Sequence, residues 1–365
     1  MHKIKSIRIF VALTSCLFGV TALFPQPVLS TNPTVVSQTN SAEANLKKGI
    51  EKGRAGDYEG AIAEFNKAIA IDPRNPKAYF YRGLTYYLLG NDTAAIVDYS
   101  QAIKIDPKYA EAYKNRGDAK SSDNDELGAI ADYSQAIKID PKYAEAYENR
   151  AEIKYSLGDK QGAIADYSQA IKIYPKYAEA YKGRGDVKRF GDERGAIADY
   201  SQAIKINPNY VEAYENRAEV KYSLGDKQGA IADYSQAIKI DPQNAKAYDM
   251  RAEVKYSLGD KQGAIIDFSQ SIQIDPEDAE VYFVRGVIKD ELGDKQGAIE
   301  DFNQAIQINP RDNSYYFYRG VVRYDLGDTQ RGISDLRKAL ELSKGNLFGF
   351  RFRYRFKNIQ SRRNR

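Results

Sequence analysis

The feature that most constrains this 365-residue chain is a repeat of 34 residues that runs through most of its length. The run AEIKYSLGDKQGAIADYSQAIKI at 151–173 returns at 218–240 with one change, from Ile153 to Val220. Prolines mark the same period, with one step of 33 residues, at Pro73, Pro107, Pro141, Pro175, Pro208, Pro242, Pro276 and Pro310. A fixed period of this length indicates an array of stacked units, in which each unit contacts its neighbours, rather than one globular core.

Each repeat is predicted to contain two helices. In residues 211–244 the first helix is expected to end at Gly225, which supplies a left-handed C-cap, and Asp226 is expected to cap the second helix. Asp241-Pro242 ends that helix, because proline has no N–H group to continue the hydrogen-bond ladder. The apolar stripe of the second helix consists of Ala230, Ile231, Tyr234, Ala237 and Ile238. Asn124 replaces glycine in the turn of 110–143 and is expected to adopt the same left-handed conformation.

The pattern resembles the tetratricopeptide repeat. Small residues occupy the eighth place, at Gly49, Gly83, Gly117, Ala151, Gly185, Ala218, Ala252, Gly286 and Gly320. Large side chains follow in the second helix, at Phe65, Tyr99, Tyr133, Tyr167, Tyr200, Tyr234, Phe268, Phe302 and Leu336. The resemblance implies an all-α, right-handed superhelical solenoid of nine helix-turn-helix repeats. Their ranges are 42–75, 76–109, 110–143, 144–177, 178–210, 211–244, 245–278, 279–312 and 313–346.

Arginine and aspartate recur in step along the array. The arginines are Arg82, Arg116, Arg150, Arg184, Arg217, Arg251, Arg285 and Arg319, at a place where the family often has leucine. The aspartates are Asp98, Asp132, Asp166, Asp199, Asp233, Asp267, Asp301 and Asp335. One interpretation is a ladder of ion pairs between packed helices. The other is that both side chains are solvated, in which case a pair contributes only about 0–1 kcal/mol.

The N-terminus resembles a secretory signal. Residues 1–30 have a basic start, an apolar run from Ile9 to Phe24, and Val28-Leu29-Ser30 before an expected cleavage. Two alternatives stay open: a retained membrane anchor, or lipidation at Cys16 in the box Leu13-Thr14-Ser15-Cys16. Residues 31–41 are polar without a helical period and are predicted to be a flexible leader. The expected location is therefore the periplasm, the cell envelope or the medium.

The inventory of reactive side chains argues against catalysis. Cys16 is the only cysteine and His2 the only histidine, and both lie in the segment expected to be removed. The remaining chain then lacks the groups needed for Cys/His metal sites or for a histidine-activated nucleophile. Its glycines do not form a phosphate-binding G-x-x-x-x-G-K-[ST] loop. We therefore expect no enzymatic activity, no cofactor and no metal.

The resemblance implies that the first helix of each repeat lines a concave groove. In this chain that face is mostly acidic, which favours a basic or extended segment of another protein as partner. The candidate binding residues are Glu145, Glu148, Glu152, Glu212, Glu215, Glu219, Asp249 and Glu253, with apolar anchors near the ends at Phe80, Tyr81, Phe283 and Phe317. Lys114 is followed by Asp118, not by the asparagine of the family's carboxylate clamp. The alternative is that these acids only keep a long array soluble.

The C-terminal segment 347–365, LFGFRFRYRFKNIQSRRNR, alternates aromatic residues with Arg351, Arg353 and Arg355. It could cover the last repeat, bind a membrane surface or anionic polymer, or dock into the acidic groove of its own or a neighbouring chain. The ten basic residues of the two ends leave 44 basic and 50 acidic residues in 31–346, a net charge of −6. Nucleic acid is therefore not an expected partner of the repeat body.

Overall fold

The structure is a computed structural model that describes residues 33–343. Within this range the chain forms 18 α-helices and no strands. Their bounds are α1 Pro33–Arg54, α2 Tyr58–Ile71, α3 Pro76–Leu88, α4 Asp92–Ile105, α5 Ala110–Ser122, α6 Glu126–Ile139, α7 Ala144–Ser156, α8 Lys160–Ile173, α9 Ala178–Lys188, α10 Glu193–Ile206, α11 Val211–Ser223, α12 Lys227–Ile240, α13 Ala245–Ser257, α14 Lys261–Ile274, α15 Ala279–Glu291, α16 Lys295–Ile308, α17 Asn313–Asp325 and α18 Thr329–Leu342. The all-α prediction is confirmed.

The chain divides into two compact halves, 1–175 and 176–365. In each half the helices pack in consecutive pairs, such as α5 with α6 and α11 with α12, and each pair packs on the next along the chain. This arrangement is the helix-turn-helix repeat that the period predicts.

The turn inside each repeat follows the predicted chemistry. Gly225 has a φ of 87°, and Asn124 adopts the left-handed conformation with a φ of 63°. The side chain of Asp226 then accepts a hydrogen bond from the backbone N–H of Gly229 at 2.9 Å. A β-carbon at Gly229 would collide with that carboxylate, so the glycine is required by the cap. The shortened repeat 178–210 makes its turn differently, because its first helix ends at Lys188 and Arg189 caps it in a right-handed conformation.

The core of each repeat is a small residue of the first helix packed against a large one of the second. Gly185 lies so close to Tyr200 that an added β-carbon would be 2.7 Å from the ring carbon Cε1. Alanine fills the corresponding place at Ala218, where Tyr234 is fully buried. The helices thus approach closely, and the aromatic ring fills the adjoining space.

The first helix begins earlier than expected. Residues 31–41 were expected to form a leader without regular structure, whereas α1 begins at Pro33. Proline is favoured in the first turn of a helix, because its fixed φ suits the helix and its missing N–H group would have no partner there. The sequence pattern underestimated this helix, since its N-terminal part has no apolar period.

Candidate functional site

The predicted arginine–aspartate pairs are present, and they are bidentate. In repeat 211–244, Arg217 donates from Nε to Asp233 Oδ2 at 2.9 Å and from Nη2 to Asp233 Oδ1 at 2.6 Å. Asp233 is only 3% exposed. Parallel hydrogen bonds of this kind between two ionised groups are among the stronger polar interactions in proteins. The ladder interpretation is therefore confirmed, and the solvated alternative is wrong.

Each arginine also contacts the preceding repeat. Arg217 donates from Nη1 to Ser201 Oγ at 2.9 Å. Ser201 donates its own proton to the carbonyl oxygen of Ile197 at 2.6 Å, which leaves a lone pair for the guanidinium. Lys221 adds a second cation to Asp233, at 2.8 Å from Oδ2. We call this set of arginine, aspartate, serine and lysine an arginine clamp.

The clamp recurs with small variations. Arg82 and Arg319 use Asn66 and Asn303 in place of serine. Bidentate pairs are formed by Arg82–Asp98, Arg116–Asp132, Arg150–Asp166, Arg184–Asp199, Arg251–Asp267, Arg285–Asp301 and Arg319–Asp335. Because these guanidinium groups are already engaged with groups of the chain, we interpret the clamps as structural and not as a binding surface for anions.

The groove face consists of the fifth and ninth residues of each first helix, which lie one turn apart on the same side. In α5 these are Lys114 and Asp118, which form an ion pair at 2.9 Å. Tyr133 Oη and Asn149 Nδ2 both donate to Asp118 Oδ1, each at 2.8 Å. Burial opposes the charge on Lys114, but Asp118, Tyr143 and Glu145 outweigh that effect and raise its pKa. The charges of α5 are thus held within the array.

The same arrangement recurs in the second half. Lys182 and Asp186 of α9 form an ion pair at 2.8 Å. Tyr200 Oη and Asn216 Nδ2 donate to Asp186 Oδ1 at 2.8 Å. The tyrosine and asparagine were not among the residues singled out from the sequence. The signal that identifies such repeats is Gly-Asp at the eighth and ninth places, whereas other acidic repeats have Ala-Glu.

The helices α11 and α13 are different, because acids occupy both groove-face places. Glu215 and Glu219 lie on α11, and Asp249 and Glu253 lie on α13. All but Glu219 are buried, with exposed fractions of 5–6%. Lys246 reaches Glu215 at 3.3 Å and Glu219 at 3.6 Å. Buried carboxylates of this density are costly unless cations or hydrogen-bond donors surround them.

The remaining candidate residues have mixed positions. Glu148 is buried on α7, Glu145 and Glu152 are partly exposed, and Glu212 is exposed. Phe80 is buried against Tyr99 and Tyr109, with ring centroids 5.8 and 5.0 Å away. Phe283 is buried among Phe302, Tyr315 and Tyr318. Most of the surface of these two rings therefore contacts the chain itself, while Tyr81 and Phe317 are partly exposed. Arg351, Arg353 and Arg355 lie outside the described residues.

Two kinds of site were also sought along the chain. Between residues 33 and 343 no group of three or more His, Cys, Asp or Glu side chains is arranged to hold a metal ion. No helix in the same range has the length and apolar character needed to cross a membrane. The expected signal and the lipid box around Cys16 lie outside this range.

The chain matches models of known repeats over most of its length. A model described as "TPR repeat" matches residues 54–90, 83–122, 128–158, 151–188, 191–225 and 219–259. Models described as "Tetratricopeptide repeat" match 245–278 and 279–312. These matches cover more than half of the sequence, as the resemblance implies.

Individual proteins give more limited matches. A crystal structure of a tetratricopeptide repeat protein from Parabacteroides merdae is 20% identical, with a TM-score of 0.50, and the match covers 68% of this chain and 99% of that one. A crystal structure of MamA is 28% identical, with a TM-score of 0.42, over 45% of this chain and 96% of that one. An uncharacterized protein of Methanocaldococcus jannaschii, MJ0572, is 46% identical over 43 residues, which are 12% of this chain and 50% of that protein. The first structure supports the helical fold alone, and the chain spans about half the length of the curated relative.

Proposed function

This chain belongs to the tetratricopeptide repeat family, and from that premise we propose that it is a non-catalytic scaffold whose groove face binds a basic, extended segment of another protein. The family is one of protein-interaction modules, so binding is the role that the fold brings with it. The observation that carries the finer proposal is the set of buried carboxylates on the groove face at Glu148, Glu215, Asp249 and Glu253.

The electrostatic argument depends on where the charges lie. The clamp cations are paired inside the repeats, as at Arg217 and Lys221 with Asp233. The acids of α7, α11 and α13 instead occupy the face that the family resemblance assigns to the groove. A negative potential on a concave surface attracts cationic segments and repels anionic ones, which favours a basic partner.

A pair of labelled peptides tests this proposal. We expect a 12-residue peptide rich in Lys and Arg to bind the full chain, and its Glu-substituted counterpart not to bind, as measured by fluorescence anisotropy. Binding should weaken as salt rises, because ions screen the attraction. Equal binding of both peptides would contradict the proposal.

Matched variants of the full chain locate the site. The double variant Glu148→Gln, Glu215→Gln removes two negative charges from the groove face and should weaken binding. The control double variant Glu59→Gln, Glu300→Gln removes the same charge from exposed positions on second helices. If both variants bind the basic peptide alike, the groove face is not the site.

The segment 347–365 supports a second candidate function, because alternating arginine and aromatic residues suit an anionic lipid surface or polymer. In this proposal the exported protein contacts the cell envelope through that segment. Co-sedimentation of the full chain with vesicles of anionic and of neutral lipid tests it. Equal sedimentation of the variant with Arg351, Arg353 and Arg355 replaced by glutamine would contradict it.

Export itself is a separate proposal based on residues 1–30. We expect the mature protein to begin at Thr31, which places it in the periplasm, the envelope or the medium. Mass spectrometry of the mature N-terminus tests this expectation. An acylated Cys16 would instead assign a lipid anchor, and an intact Met1 or His2 start would contradict cleavage.

A further inference from the structure

The tyrosines of the second helices fall into two environments. In repeat 178–210, Tyr200 Oη donates to Asp186 at 2.8 Å. In repeat 211–244, Tyr234 is fully buried, and its hydroxyl oxygen has no hydrogen-bond partner among the described residues. Tyr99 also lacks a partner, but Leu84 occupies the ninth place of its repeat, so its setting is apolar. A buried hydroxyl without a partner costs free energy, so the exception at Tyr234 calls for a physical reason.

The hydroxyl of Tyr234 faces the acidic residues of α11 and α13. Burial raises its pKa well above the ordinary value, and the carboxylates of Glu219, Glu253 and Glu215 raise it further. That coupling places the phenol oxygen close to three acids on two neighbouring helices. We call these four residues the tyrosine pocket.

The cations near the tyrosine pocket are held loosely. Lys246 pairs with Glu215 and Glu219 at 3.3 and 3.6 Å, and its side chain is 55% exposed. Arg189 reaches Glu219 at 3.3 Å. By contrast, the lysine and arginine of the nearby clamp lie 2.8 and 2.6 Å from their aspartate. An exposed ammonium at such distances contributes little and can be displaced by a cation with better geometry.

The next first helix changes from acidic to apolar. On α15 the fifth and ninth places are Phe283 and Val287, both of which belong to the core around Ile288 and Phe302. A ligand in the tyrosine pocket would therefore have acidic groups on α11 and α13 and an apolar surface on the side of α15. That combination suits a cationic side chain beside an apolar one.

We propose that the tyrosine pocket binds the guanidinium of an arginine in the partner's segment, with the carboxylates of Glu215, Glu219 and Glu253 as acceptors and Tyr234 Oη as a further acceptor. This inference rests on the proposed function and names the side chain that the groove recognises. Guanidinium is favoured over ammonium, because its planar fork directs five N–H groups toward acceptors on different helices. It also supplies a donor to the one buried hydroxyl that lacks a partner.

Three peptides that differ in one side chain test the identity of the ligand. They are acetyl-Ala-Ala-Xaa-Phe-Ala-Ala-amide with arginine, lysine or citrulline as Xaa, titrated calorimetrically into the full chain. Citrulline keeps the shape of arginine without its charge. We expect the arginine peptide to bind at least tenfold more tightly than the other two. Equal binding of arginine and lysine would overturn the guanidinium assignment.

The matched variants are Tyr234→Phe and Tyr200→Phe, each of which removes one hydroxyl oxygen. Tyr234→Phe should weaken binding of the arginine peptide about tenfold, the effect of one hydrogen bond to a charged group. Tyr200→Phe removes a hydroxyl that Asp186 already engages and should leave the affinity unchanged. Thermal unfolding of both variants checks that they fold. Equal affinities for the two variants would overturn the pocket.

The outcomes separate this inference from the proposed function. If the basic 12-residue peptide binds and responds to the groove variants while Tyr234→Phe has no effect, the scaffold proposal stands and the pocket fails. If no cationic peptide binds, both fail. If the arginine peptide binds only after Arg351, Arg353 and Arg355 are replaced by glutamine, the chain's own segment is the occupant, and the assignment to a partner is overturned.

Discussion

The arginine clamp gives the sharpest prediction for stability. Arg217 makes two hydrogen bonds to Asp233, at 2.9 and 2.6 Å, and one to Ser201 at 2.9 Å. We consider the variants Arg217→Ala and Asp233→Ala and the double variant. Asp233 keeps Lys221 when the arginine is removed, because that lysine lies 2.8 Å from Oδ2.

The magnitude follows from burial and geometry. An exposed ion pair contributes about 0–1 kcal/mol, whereas breaking a buried one costs about 3–5 kcal/mol. The arginine side chain is 16% exposed and the aspartate 5%, so this pair lies nearer the buried limit. With the lysine still compensating part of the charge, we expect a coupling free energy of about 2 kcal/mol.

Hydrogen exchange is the suitable assay, because a repeat array can open locally and need not unfold in one step. Exchange of peptides from α11 and α12 reports the opening free energy of this repeat. The exposed pair Lys338–Glu341, with side chains 42% and 69% exposed, serves as the control. It should show a coupling below about 0.5 kcal/mol.

A second clamp tests the role of the lysine. In repeat 76–109 the place corresponding to Lys221 is held by Tyr86, so Asp98 has no lysine of this kind. Arg82→Ala should therefore cost about 1 kcal/mol more than Arg217→Ala, since the buried carboxylate loses its principal cation. A coupling as small as that of the exposed control, or equal costs for Arg82→Ala and Arg217→Ala, would refute the reasoning.

Three further predictions concern packing, turns and pH. Gly185→Ala should destabilise its repeat by about 1–2 kcal/mol, because the new β-carbon would lie 2.7 Å from Tyr200 Cε1, and a rise in melting temperature would contradict this. Asn124→Gly should stabilise the turn by about 0.5 kcal/mol, because glycine adopts a φ of 63° without strain, and chemical denaturation measures the gain. Burial raises the pKa of Tyr99 and Tyr200, so both phenols stay protonated in the fold above the unfolded value of about 10. Stability should be complete below that pH and fall above it by about 1.4 kcal/mol per pH unit for each phenol, and phenolate absorbance that rises before unfolding would contradict this.

The period of the sequence predicts the helices and their turns well, because the turn residues act locally. Gly225 and Asn124 have the left-handed conformation, and Asp226 caps its helix, as the residue types indicate. The pairing of Arg217 with Asp233 could be anticipated as one of two possibilities, since both recur in step. Its third partner, Ser201, could not, because the contact joins two repeats and depends on their packing.

The groove face was less predictable than the helices. The sequence places acids on one helical face but does not tell which of them are buried or already bonded. Asp118 and Asp186 are engaged by tyrosine and asparagine from neighbouring helices, which no local pattern encodes. Phe80 looked like an exposed anchor, yet it lies in the core, since the aromatic rings that cover it come from other helices.

The arginine clamp also bears on how such an array can lengthen. Arg116 finds its serine 16 residues before it, at Ser100, and its aspartate 16 residues after it, at Asp132. A duplicated 34-residue segment that carries the arginine, aspartate and serine brings the donor for one neighbour and the acceptor for the other. Tandem duplication therefore creates a complete junction at once, without compensating substitutions. The near identity of 151–173 and 218–240 is the pattern that this mode of growth would leave in the sequence.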